Sequence, residues 1–66
     1  MRRYVGTVHN STGKKVFQVT VDANTPADAT YVVIKEYQNK TNYRYTVRQI
    51  KDLATIRVKE VDFWWG

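Results

Sequence analysis

The chain contains no cysteine, and with only 66 residues this leaves its fold a single source of stability: an apolar core. A disulfide framework and a thiolate zinc site are both excluded. His9 is the lone histidine, and the six Asp and Glu residues are scattered, so no metal and no other cofactor is expected. One domain over 1–66 is the only partition such a length supports. The hydrophobic share of 42% and charged share of 26% are those of a folded chain and not of a disordered one.

Two segments at the start, Arg3 to His9 and Lys15 to Val21, are rich in β-branched and aromatic residues and read as strands. Asn10-Ser11-Thr12-Gly13 between them supplies a turn-forming Asn and a Gly suited to positive φ, so the pair is a hairpin. Closure at His9 and Lys14 places Gly6 opposite Phe17 and Tyr4 opposite Val19, on the face that also carries Val8 and Val21. Gln18 and Thr20 then line a wet face.

Thr25-Pro26-Ala27-Asp28 carries a capping Thr, a Pro suited to the first helical position and an acidic third residue. A helix is expected to about Gln38. Helical spacing groups Ala29, Val33 and Tyr37, flanked by Val32 and Ile34, and leaves Asp28, Tyr31, Lys35 and Gln38 outside. After the Asn39-Lys40-Thr41-Asn42 breaker, Tyr43 to Ile50 alternates Tyr43, Tyr45 and Val47 with Arg44, Thr46 and Arg48, which predicts a third strand. A short helix through Val47, Ile50 and Ala54 competes with it. Thr55 to Phe63 predicts a fourth strand, with a bulge near Lys59 and Glu60 because Val61 and Phe63 break the parity of Ile56 and Val58.

The expected class is therefore α+β, a single ββαββ domain with a four-stranded sheet packed on one helix. Val21-Asp22-Ala23 leading through Thr25 into the helix with Lys35, Glu36 and Tyr37, and the turn Lys51-Asp52-Leu53-Ala54-Thr55, resemble the immunoglobulin-binding domains of streptococcal protein G. The hairpin turn Thr12-Gly13-Lys14 is similar to that of ubiquitin-like proteins, though Gly66 follows two tryptophans where those proteins end in diglycine. The resemblance implies a β-grasp architecture and no particular function.

Catalysis lacks its parts. One imidazole at a hairpin edge, carboxylates at turns and caps, and three separated glycines supply neither a triad nor a phosphate loop. The start Met1-Arg2-Arg3 runs straight into alternating sequence, and no stretch approaches a membrane span, so a cytoplasmic protein without membrane contact is expected. Asn10-Ser11-Thr12 and Asn39-Lys40-Thr41 match the glycosylation pattern but read as turn residues.

A net charge of +5 and a pI near 9.8 favour an anionic partner and exclude a mimic of DNA. Two binding surfaces are expected. One is a sheet face combining Arg44 and Arg48 with Arg57 and Lys59, with Tyr43 and Tyr45 beside them. The other is the tail, where Trp64 and Trp65 either anchor a partner or seal the core. The expected function is a small protein-binding module that inhibits a host protein with an acidic or apolar surface, in the manner of a phage or mobile-element accessory protein. The alternative is an RNA- or DNA-binding protein that uses the basic, aromatic face.

Overall fold

The structure, a computed structural model, describes residues 1–61. It is α+β, with strands β1 (Arg2–His9) and β2 (Lys15–Ala23), helices α1 (Pro26–Lys40) and α2 (Val47–Leu53), and strand β3 (Thr55–Glu60). The sheet is antiparallel throughout, with β1 in the centre and the order β2-β1-β3.

Asn10 organises the hairpin. Its Oδ1 accepts from the Thr12 amide at 3.0 Å, the Thr12 hydroxyl at 2.6 Å and the Lys14 amide at 3.0 Å, and Gly13 takes φ +87°. Because Asn10 draws Lys14 into the turn, the strands close on His9 and Lys15, and Val16 is left as a bulge between Lys15 and Phe17. Gly6 therefore faces Val19, and Tyr4 faces Val21. The register thus differs by two residues from closure at Lys14, and a shift of two keeps the side chains from Phe17 to Ala23 on their expected faces, while the bulge moves Lys15 to the open face.

Thr25 caps α1 by accepting from the Asp28 amide at 3.1 Å, with Pro26 in the first turn. The helix lays Ala29 and Val33, both fully buried, over Tyr4, Val8, Val21 and Ala23, and Ile34 beside them is fully buried as well. Val33 rides directly above Gly6, where a Cβ would collide with its Cγ2. The glycine is thus required by the distance between layers. At the far end of α1 the Phe17 and Tyr37 rings pack at 5.5 Å between centroids, and the Lys40 ammonium sits 5.1 Å over Phe17. Gln38 is drawn inward instead of lying outside, donating from Nε2 to the Tyr45 carbonyl at 3.1 Å.

The expected third strand is a loop followed by α2, so the sheet has three strands among the described residues and the order is not ββαββ. The reason is local. Thr46 and Gln49 form a reciprocal capping box, Gln49 N–H to Thr46 Oγ1 at 3.1 Å and Thr46 N–H to Gln49 Oε1 at 2.8 Å, which commits Val47 onward to a helix. Ile50 drops into the core from α2. The last strand does form, but β1 and β3 pair without a register shift from Thr55 through Glu60, so no bulge occurs there. Val61 consequently has the parity of the face opposite Ile56 and Val58, while Phe63 lies outside the described residues.

Gly6→Ala is expected to destabilise the fold by about 1 to 3 kcal/mol through overpacking. Adding Val33→Ala should make the double variant more stable than the sum of the single losses, as read by urea unfolding. Strict additivity would show that Val33 does not set the helix height.

Candidate partner-binding surface

Because α1 covers one side of the sheet, the strand pairings define the other side row by row. Thr7 of β1 stands between Gln18 and Arg57, Val5 between Thr20 and Lys59, His9 between Lys15 and Thr55, and Arg3 beside Asp22. Directly paired residues share a face. This face holds no helix among the described residues, and Val5 and Thr7 at its centre are only half-exposed.

Four cations, Arg3, Lys15, Arg57 and Lys59, oppose one carboxylate, Asp22, on this surface. Arg3 Nε meets Asp22 Oδ1 at 3.3 Å, and Lys15 donates to Gln18 Oε1 at 3.0 Å, a contact that the Val16 bulge permits by putting both on one side. Arg57 and Lys59 have no ion pair among the described residues and are exposed. They border a shallow depression lined by Val5, Thr7, Arg57, Val58 and Lys59.

The expected four-cation strip is split. Arg57 and Lys59 lie on the sheet, whereas Arg44 belongs to the loop before α2 and Arg48 to the first turn of α2. Tyr43 is 64% exposed in that loop. Tyr45 is half-buried and lines a cavity of about 200 Å³ with Tyr37, Ile50, Leu53 and Ala54. Trp64 and Trp65 lie outside the described residues. Arg3 and Lys15 were missed as site residues, because their place beside Arg57 depends on strand pairings that no local motif reports.

His9 shares a second shallow site with Gly13, Thr55 and Arg57; among the described residues no carboxylate lines it and the His9 Nδ1 atom has no hydrogen-bond partner. A hydroxyl and an imidazole are there without the orienting acid that nucleophilic catalysis uses. Among the described residues no three His, Asp or Glu side chains gather as a metal site would require, and no helix is long and apolar enough to cross a membrane.

Tyr43 adopts φ 59° next to Asn42 at φ 57°, a left-handed pair that lets the Tyr43 amide reach the Gln38 carbonyl at 2.8 Å. A tyrosine in this region is strained, by roughly 1 to 2 kcal/mol relative to right-handed backbone. Tyr43→Gly is therefore expected to raise stability by up to about 1 kcal/mol, after subtracting the chain entropy of glycine. If the variant also captures partner less well, the exposed ring is a contact kept at a cost in stability. A drop in thermal midpoint would refute the strain.

Comparisons with protein-family models, with curated proteins and with solved structures give no match for this chain.

Proposed function

We propose that this chain is a small, non-catalytic protein-binding module that receives an acidic surface of its partner on the uncovered face of its sheet. The observation that carries this reading is Arg57 with Lys59, two exposed cations without an ion pair among the described residues, bordering the half-buried Val5 and Thr7. An apolar centre ringed by polar and charged groups is the usual composition of a protein interface. Inhibition of a host protein by occlusion, as a phage or mobile-element accessory protein would do it in the cytoplasm, suits a module of 66 residues with no catalytic constellation. The β-grasp resemblance supports this only as architecture, through its hairpin and α1.

Binding of RNA or DNA is the weaker reading, for a specific reason. Single-stranded nucleic acid is held by aromatic platforms among cations, and no Phe, Tyr or Trp stands on the open face among the described residues, where His9 at the hairpin end is the one aromatic ring. Tyr43 and Tyr45 belong to the loop before α2.

The Arg57→Glu/Lys59→Glu double variant is expected to capture its protein partner at least about tenfold less well than the parent, since like charges across an interface cost several kcal/mol. Affinity purification with mass spectrometry, with and without nuclease, measures this. A protein retained by the parent after nuclease and depleted with the variant supports the reading. Loss of all bound material on nuclease treatment overturns it in favour of nucleic acid.

A further inference from the structure

β3 is an edge strand. Its inner side pairs with β1, and its outer side meets no strand among the described residues. The Val61 amide donates to the Arg3 carbonyl at 2.8 Å, which sets the phase of the ladder. In that phase Thr55, Arg57 and Lys59 direct their backbone N–H and C=O toward β1, and Ile56, Val58 and Glu60 direct theirs outward. Such a row of backbone groups is a template for an added strand.

The side chains decide which strand fits. On the outer side Arg57 and Lys59 occupy the narrow, non-hydrogen-bonded positions, where opposed Cα atoms stand about 4.5 Å apart and side chains interact most strongly. A second copy of β3 is disfavoured there. A two-fold axis at Arg57 opposes two copies of that arginine, an axis at Val58 opposes Arg57 to Lys59, and an axis at Lys59 opposes two lysines. A strand with carboxylates at alternate positions turns each of these repulsions into attraction. The residues between those carboxylates fall on the side of Ile56 and Val58, both half-buried, so apolar groups there continue the core outward. The opposite edge is less suited, because Val16 bulges from β2 and Asp22 sits on its open face.

We infer that the outer edge of β3 takes up an extended acidic segment of the partner protein as an antiparallel strand, its alternate carboxylates facing Arg57 and Lys59. This rests on the acidic-partner reading above and adds the mode of engagement.

The probe is the fluorescently labelled peptide Ac-Val-Glu-Val-Glu-Val-NH2, titrated against the full chain. Three controls accompany it: the same peptide N-methylated on its valines, the peptide with lysines for glutamates, and the Arg57→Glu/Lys59→Glu variant. The glutamate peptide is expected to bind with Kd of about 1 mM or tighter, and the amides of Ile56, Val58 and Glu60 to exchange more slowly when it is bound. N-methylation, which removes the pairing donors and keeps the charge, is expected to weaken binding at least about tenfold. The lysine peptide and the charge-reversed variant should lose a similar factor. Equal binding of the methylated peptide, with unchanged exchange at the three amides, overturns strand addition while the acidic-partner reading stands. Equal binding of the lysine peptide, or no binding of the glutamate peptide, overturns the inference; the former sinks the acidic-partner reading with it.

Discussion

The contact of Val33 with Gly6 is the constraint on which the rest of the structure depends. It seats α1 on the central strand, and the buried side chains Tyr4, Val8, Val21 and Ala29 belong to the same core cluster as Val33. No charged side chain is buried among the described residues, so this core is apolar packing without a polar network. With 66 residues and no cysteine, the chain has enough apolar groups to close one side of its sheet. The second face is the consequence. No helix covers it among the described residues, and Arg3, Lys15, Gln18, Thr20, Arg57 and Lys59 make it polar. Its charges are not evenly mixed: four cations stand against Asp22, an imbalance of the sign that the proposed acidic partner would meet.

Legibility in the sequence followed the range of the interactions. The Thr25-Pro26 helix start and the Asn10 to Gly13 turn are written in adjacent residues, and both appear where their chemistry puts them. The hairpin register was less legible, since it depended on whether Asn10 Oδ1 would take Lys14 into the turn. The error of two residues left the core face unaltered, because side chains alternate with period two.

Tyr43 to Ile50 shows a different failure. Alternating tyrosines with Val47 is a strand pattern, yet Thr46-Val47-Arg48-Gln49 also spells a capping box, and two local hydrogen bonds outweighed the hydrophobic alternation. A four-residue cap signature is the stronger local determinant here, and the competing helix through Val47 and Ile50 is the one that forms. Arg44 and Arg48 therefore lie off the sheet, away from Arg57 and Lys59. Arg57 and Lys59 kept their place because alternate residues of one strand share a face in any register. Their neighbours Arg3 and Lys15 come from pairings distant in sequence, which residue patterns do not encode.

The same capping box that removed the third strand accounts for the open edge. A strand formed from Tyr43 to Ile50 and joined to β3 by a tight turn would have occupied β3's outer side; as a helix, that segment instead sends Ile50 into the core and leaves β3 unpaired there among the described residues. Exposed edges invite association, and the two edges of this sheet are protected by different devices. β2 carries the Val16 bulge at its start, a local barrier of shape, and pairs regularly from Phe17 to Ala23. β3 runs unbroken from Thr55 to Glu60 and relies on Arg57 and Lys59, a barrier of charge alone. A barrier of shape takes no account of an incoming strand's charge, whereas a barrier of charge rejects copies of itself and admits the opposite sign. In the proposed mode of engagement, protection against self-association and selectivity for an acidic segment would therefore come from the same two side chains acting on different partners.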